Sequence, residues 1–246
     1  MSAAPAAAAA LELRGVHTHI DAYHILHGVD LSVPAGAITV LLGRNGAGKT
    51  TTLRTVMGLW RASAGSITFA GQRIDGRHTA DIARAGIAYV PESMAIFGDL
   101  TVRENLLLAT GSAGFDAARL ESVLEQFPAL KLKWSSAAGL LSGGQKQMLA
   151  IARAIVEPRR LLVVDEPTKG LSPAMIAHLI EAFRNLKAER TTILLVEQNF
   201  QMARALGDEV AVMDQGRIVY DGAMAALADD EPLQQRLLGL SLGAHQ

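Results

Sequence analysis

The chain has 246 residues, half of them hydrophobic, with 23 basic against 24 acidic side chains and no cysteine. That length and apolar content suit one α/β domain with a subdomain, and the balanced charge argues against nucleic acid as a partner held mainly by its phosphates. Without cysteine there is no disulfide framework and no thiolate metal site, a composition that fits a reducing compartment.

Residues 1–10 read as a disordered Ala-rich tail, because the apolar stretch 3–11 lacks a basic flank and is far too short to span a bilayer. Residues 11–246 read as the folded domain. Every later apolar run is broken by a charge well before the roughly 18 residues of a spanning helix, so the chain is expected to be soluble and to reach a membrane only through a partner. Segments 11–16, 29–33 and 66–69, punctuated by glycine, predict an antiparallel β subdomain. Segment 37–42 predicts a buried strand and 49–57 the helix after it. From 101 to about 156 the apolar spacing turns helical, with Val102, Leu106 and Ala109 on one stripe and Leu120, Leu124 and Phe127 on another. This predicts an inserted helical subdomain over about 92–158. Strand signals return at 161–164, 192–196, 210–213 and 217–220, with Asp214-Gln215-Gly216 as a hairpin turn. Strands wrapped by helices on both sides of the insertion make one α/β core.

Gly43-Arg44-Asn45-Gly46-Ala47-Gly48-Lys49-Thr50 matches the phosphate-binding P-loop in full, between a predicted strand and a predicted helix. Its glycines let backbone N–H groups turn inward and the helix start favours anionic phosphate. Lys49 is placed to reach the β and γ phosphates and Thr50 to offer its hydroxyl to Mg²⁺, with Thr51 a further nucleotide contact. The apolar run 161–164 ends in Asp165-Glu166, either a solvated turn or the second half of a Mg²⁺-nucleotide site. Beside a P-loop the second reading assigns Asp165 to the metal and Glu166 to the attacking water. Leu141-Ser142-Gly143-Gly144-Gln145 precedes a helix with Met148, Ile151, Ala152 and Ile155 on its buried face. Taken alone it is a capped helix; it is also a second phosphate-compatible helix start without a lysine of its own.

A P-loop, then Leu-Ser-Gly-Gly-Gln, then an apolar strand ending in Asp-Glu resembles the ABC ATPase family over about 11–239. The strings Ile87-Ala88-Tyr89-Val90-Pro91-Glu92, Leu100-Thr101-Val102-Arg103-Glu104-Asn105-Leu106 and Leu195-Val196-Glu197-Gln198-Asn199 are most similar to the shorter ATPase of branched-chain amino-acid importers. The resemblance implies a P-loop NTPase core, Mg²⁺-dependent ATP hydrolysis, and a head-to-tail dimer, here a heterodimer with a second ATPase subunit. In that dimer Ser142, Gly143, Gly144 and Gln145 of one chain cover the ATP on the other. It further implies two membrane-spanning permease subunits, a periplasmic solute-binding protein acting indirectly, and a peripheral place at the cytoplasmic face of the inner membrane. Tyr23 matches the family's adenine-stacking aromatic, though packing explains a lone tyrosine equally well. Gly170-Leu171-Ser172-Pro173 resembles the loop that contacts the opposite subunit. The apolar Met94, Ile96 and Phe97 are placed by the resemblance at the permease contact.

Two positions depart from the wider family. Glu92 stands where a glutamine is usual and is counted with Thr50 and Asp165 as a possible metal contact; as a carboxylate it repels a γ-phosphate unless something intervenes. Gln198 stands in place of a histidine; it can hydrogen-bond phosphate but bears no positive charge. It joins Glu166 and Lys49 as a candidate catalytic residue. Branched-chain amino acids are the expected solute, with urea, amides or small carboxylates as alternatives. A non-transport ABC ATPase is a further one, although tandem cassettes and a long coiled-coil insertion are missing. The Asn-Lys-x-Asp guanine-reading string is absent, which argues against a GTPase. His17, His19, His24 and His27 crowd one stretch and read as a solvated strand edge rather than a metal site.

Overall fold

The computed structural model describes residues 9–110 and 114–239. Its first element is a long hairpin of β1 (Ala9–Ile20) and β2 (Tyr23–Pro34), each strand running well beyond the apolar segments that announce it. Ala9 and Ala10 therefore belong to β1 and not to a tail. Ala9 pairs with Pro34, and Ala10 accepts a backbone hydrogen bond from Ala70 at 2.7 Å. Alanine carries little strand preference, so backbone pairing decides what composition did not. The rest of the proposed tail, residues 1–8, lies outside the described residues.

β1 also pairs with β4 (Ala62–Phe69), which pairs with β5 (Gln72–Arg73), giving a four-stranded antiparallel sheet in the order β2-β1-β4-β5. The second sheet has six strands in the order β10-β9-β3-β8-β7-β6. β3 (Ile38–Gly43), β6 (Ile87–Val90), β7 (Leu161–Asp165), β8 (Thr192–Glu197) and β9 (Glu209–Asp214) run parallel, and β10 (Arg217–Ala223) is antiparallel to β9. β7 and β8 are buried along their whole length, as continuous apolar runs in a doubly covered parallel sheet should be. At the β9–β10 turn Gln215 and Gly216 both have positive φ, 43° and 75°, the requirement of a type I′ hairpin.

Two apolar layers flank the six-stranded sheet. One lies between that sheet and the antiparallel sheet and takes in α1 (Lys49–Val56) through Leu53 and Val56 and α2 (Thr79–Arg84) through Ile82. The other lies on the opposite face and is continuous with the helices that occupy the chain between β6 and β7. These are α3 (Val102–Leu107), α4 (Ala117–Gln126), α5 (Pro128–Leu132) and α6 (Gly143–Ile155). Their buried residues Val102, Leu106, Leu124, Phe127, Met148 and Ile151 share one cluster with Val40 and Leu162 of the sheet. The inserted helices thus have no separate core. α3 is opened by a capping box of Thr101 and Glu104, and Asp116 caps α4. On the same face α7 (Pro173–Ala188), capped by Ser172, and α8 (Phe200–Leu206), capped by Asn199, follow β7 and β8. Two short helices, α9 (Met224–Ala228) and α10 (Glu231–Leu238), end the described chain. Among the described residues no helix is long and apolar enough to cross a membrane.

The four histidines stack along the β1–β2 hairpin. His24 lies 4.2 Å from His19, 4.0 Å from His27 and 5.1 Å from His17 between ring centroids. His17 Nδ1 and His24 Nε2 are 3.0 Å apart, a ring-to-ring hydrogen bond. No group of three or more His, Cys, Asp or Glu among the described residues has metal-binding spacing.

Candidate active site

The C-terminal ends of parallel strands are where an α/β sheet turns into helices and leaves a crevice. Here the ends of β3, β7 and β8 meet. Gly43 closes β3 at φ 154°, and a β carbon on it would lie 2.3 Å from the Met213 carbonyl oxygen. Gly48 sits at φ 109° as the N-cap of α1 and makes no side-chain cap. The N–H groups of the first turn of α1 therefore have neither an intrahelical nor a side-chain acceptor. They border a hollow of about 370 Å³ lined by Asn45, Gly46, Gly48, Lys49, Thr50 and Thr51, together with Glu92, Glu166 and Lys169.

Lys49 is only 4% exposed. Its Nζ donates to the carbonyl oxygens of Gly43 at 2.8 Å and Arg44 at 3.1 Å, and lies 3.3 Å from Glu166 Oε1. Gln198 Nε2 donates to that same carboxylate oxygen at 2.7 Å and to Asn45 Oδ1 at 2.7 Å. The base candidate is held in turn by its backbone. Glu166 adopts φ 46°, a left-handed conformation that costs a non-glycine residue of order 1 kcal/mol or more, and its N–H donates to Val196 O at 2.9 Å.

Next to Glu166, Asp165 accepts from Thr50 Oγ1 at 3.2 Å, and the Tyr89 hydroxyl reaches its other oxygen at 3.5 Å. Burial pushes the Asp165 carboxyl above its usual range; the hydrogen bond from Thr50 opposes this, while Glu166 and Glu92 add to it. Burial also pushes the Tyr89 phenol up to about 12, helped by the charge of Asp165, so the phenol stays a neutral donor. A buried carboxylate beside a hydroxyl fits Mg²⁺, which takes one or two protein oxygens and completes its shell from phosphates and water. Glu92 lines the same hollow, but it is paired with Lys169 Nζ at 2.5 Å. The repulsion anticipated for a carboxylate at this position is countered by a lysine three residues after Glu166.

Glu197 is 1% exposed and accepts from Thr168 N and Oγ1, Gln198 N and Asn199 N. Burial raises its carboxyl and these donors oppose the shift. It fastens the loop after β8 to the loop after β7, and so sets Gln198 against Glu166. In the sequence Glu197 and Tyr89 stand out only within longer strings, and Thr168 and Lys169 do not stand out at all. The signal was weak, since a lysine or threonine in a loop has no periodicity, and its partner is 77 or 29 residues away.

Other candidates lie apart from the hollow. Arg44 lines a small cleft with Gln198, Phe200 and Leu238, and Ala47 is buried, accepting from Gly216 N at 2.8 Å. Tyr23 opens β2 and is 74% exposed; Ile25, two residues on, lines the hollow. Ser142 caps α6 in a reciprocal box, its Oγ accepting from Gln145 N at 3.3 Å while its N–H donates to Gln145 Oε1 at 3.0 Å. None of Ser142, Gly143, Gly144 and Gln145 lines the hollow. Gly144 is pressed against α7, where a β carbon would lie 2.5 Å from Met175 Cε.

The chain is similar to known proteins over most of its length. The family described as ABC transporter matches residues 26–169. The chain is 40% identical over 226 residues to the high-affinity branched-chain amino acid transport ATP-binding protein BraG of Pseudomonas aeruginosa, covering 91% of this chain and 97% of that one. It is 34% identical over 220 residues to the probable branched-chain amino acid transport ATP-binding protein LivF of Archaeoglobus fulgidus, covering 88% and 93%. A solved ATP-binding subunit of an ABC transporter superposes with a TM-score of 0.77 at 32% identity, covering 94% of this chain and 95% of that one.

Proposed function

The chain belongs to the ABC transporter family, in which it is an ATP-hydrolysing subunit, and from that premise we propose that it drives the import of branched-chain amino acids. Two relatives whose names specify that transport, matched over about nine-tenths of the chain, support the solute. The reading includes two membrane-spanning permease subunits and, indirectly, a periplasmic solute-binding protein. It places the chain at the cytoplasmic face of the membrane, held there by the permeases.

The chemistry is in-line attack of water on the γ-phosphate of ATP. The uncapped start of α1 and Lys49 bind phosphate oxygens. Thr50 and Asp165 would hold Mg²⁺, with Glu92 as a further oxygen donor, and the ion would neutralise negative charge on the phosphates. Glu166 orients the water and accepts its proton. Gln198 fixes the Glu166 carboxylate and offers a hydrogen bond, without positive charge, to the developing charge. Tyr23 offers an exposed ring for adenine. Ser142, Gly143, Gly144 and Gln145 lie outside the hollow, which supports their role as a cover supplied to a second ATPase chain in a head-to-tail heterodimer.

An apolar groove of about 650 Å³ beside Glu92, with Leu59, Trp60, Tyr89, Met94 and Ala95 in its lining, supports the permease contact. Phe97 is 51% exposed beneath the Arg153 guanidinium, whereas Met94 and Ile96 pack partly against the core. Of the three apolar residues singled out from sequence, Phe97 is thus the one most available to a partner.

The observation that carries the proposal is the meeting of Lys49, Gln198 and Glu166 at one carboxylate oxygen beside the P-loop. In liposomes holding the chain with its cognate subunits, Lys49→Ala is expected to lower Mg²⁺-dependent ATP hydrolysis about 10²-fold or more. An unchanged rate would sink the site assignment. If urea or an amide stimulates that hydrolysis through the binding protein while leucine, isoleucine and valine do not, the solute is wrong and the ATPase reading stands.

A further inference from the structure

The strands β6 and β7 are neighbours, with Val90 opposite Val164, and the loops that leave them both reach the hollow. One brings Glu92 and the other Lys169, whose Nζ meets Glu92 Oε1 at 2.5 Å. Turns hold both ends of this contact. The Lys169 N–H donates to Glu166 O at 3.2 Å, and Thr168 before it is clasped by Glu197, so the lysine is fixed to the turn that carries Glu166. Glu92 follows Pro91 inside a second turn, closed by the Met94 N–H on Pro91 O at 2.8 Å. That turn continues through Met94 and Ala95 at positive φ, 64° and 49°.

The lining of the hollow carries two carboxylates, Glu92 and Glu166, and two ammonium groups, Lys49 and Lys169. Each carboxylate has its own ammonium, Glu166 with Lys49 at 3.3 Å and Glu92 with Lys169. The formal charge of the lining is therefore zero, and without Lys169 it would be one negative. The charge of Glu92 reaches the metal position too. Burial is the main cause that raises the Asp165 carboxyl, the Thr50 hydrogen bond opposes it, and Glu166 and Glu92 then add to it. Lys169 is kept charged by its hydrogen bond to Glu92 and, after that, by the Glu92 charge.

The Lys169 and Glu92 side chains are 60% and 42% exposed, and ion pairs this open contribute little to stability. What the pair changes is the charge that an incoming polyphosphate meets. We propose that Lys169 is a positioning residue for ATP, acting through Glu92: it neutralises that carboxylate and holds it by Oε1, so that the triphosphate enters a hollow without a bare negative charge in its lining. The contact uses one carboxylate oxygen, and Oε2 stays available as a donor to Mg²⁺. This role rests on the phosphate-binding reading of the hollow. It differs from direct contact between lysine and phosphate, because removing Glu92 makes Lys169 dispensable.

The test is calorimetric titration of the full chain with ATP and with ADP in EDTA at low ionic strength, where Glu92 has no metal to serve. Lys169→Ala should weaken ATP about three- to tenfold and ADP less, since the bare carboxylate then faces fewer phosphate charges. Glu92→Gln in that background should restore the parental affinity, and Lys169→Arg, which keeps the pair, should stay within about twofold. Its Tm should remain near that of the parent; Lys169→Gln, similar in length, takes the place of the alanine if that variant misfolds. Unchanged ATP affinity in Lys169→Ala overturns the proposal. So does a loss that Glu92→Gln leaves in place, which would make Lys169 a direct phosphate ligand. Lys49→Ala separates the two readings: if ATP binding survives it, the hollow is not the phosphate site and both fall. If Lys49→Ala abolishes binding while Lys169→Ala has no effect, only the role of Lys169 falls.

Discussion

The chain has two helix starts that a phosphate could approach, and they are finished differently. At α1 the cap is Gly48, no side chain accepts from the first turn, and a buried lysine sits within the turn's own loop. At α6 Ser142 and Gln145 cap one another, Ser142 is exposed, and Lys146, the next residue along the helix, is only half-buried. An uncapped start keeps its donors for an anion, whereas a boxed start has satisfied its own. The first is thus free to take the phosphate proposed for it within one chain. The second must exchange its cap for an outside ligand, and that fits a cover held out to a partner subunit.

Glu166→Gln tests the first start most severely. A glutamine keeps an acceptor for Gln198 and the volume of the side chain but cannot take a proton. ATP hydrolysis in the assembled transporter is expected to fall about 10²- to 10⁴-fold while nucleotide affinity is retained. Loss of affinity in step with rate would mean that Glu166 serves binding, and the α1 start would no longer be self-sufficient.

Ser142→Ala addresses the second start. The isolated chain should lose about 1 kcal/mol of stability with its cap and keep its ATP affinity within about twofold, while hydrolysis in the assembled transporter drops roughly tenfold. Should the isolated chain lose ATP affinity, both helix starts would serve one nucleotide in one chain and the comparison would break.

The smallest effect concerns the buried carboxylate beside the first start. Burial raises the folded-state pKa of Asp165 above its unfolded value, so across that interval the folded chain binds more protons than the unfolded one. Stability from this group is therefore full below the ordinary carboxylate range near pH 4 and is lost as pH rises through the raised folded value. Asp165→Asn should show a Tm advantage over the parent that is absent at low pH and grows toward neutrality. A Tm difference that stays flat between pH 3 and 7 would show that the carboxylate pays no burial penalty.

Much of the site was legible because its groups are local in the chain. Gly43 to Thr50 is one loop whose glycines, lysine and threonine are dictated by consecutive backbone geometry, and Asp165-Glu166 is marked by the apolar run of β7 before it. The β subdomain was legible in kind but short in extent. Its polar and histidine flanks carry no alternation, and Ala9 and Ala10 enter β1 through backbone pairing alone. The pairing of Lys169 with Glu92, the clasp of Glu197 on Thr168, and the hydroxyl of Tyr89 against Asp165 were not legible, since each joins residues far apart in sequence.

Order along the chain thus determined the P-loop, the acidic strand end, the boxed helix of Ser142 and the α/β class, because each is written in adjacent residues with a fixed dihedral or period. Only the tertiary structure decided which of these share a hollow, that a lysine offsets Glu92, and that Glu197 ties the loops after β7 and β8 together. Electrostatics and burial depend on distance through space, and sheet order, not sequence order, sets that distance.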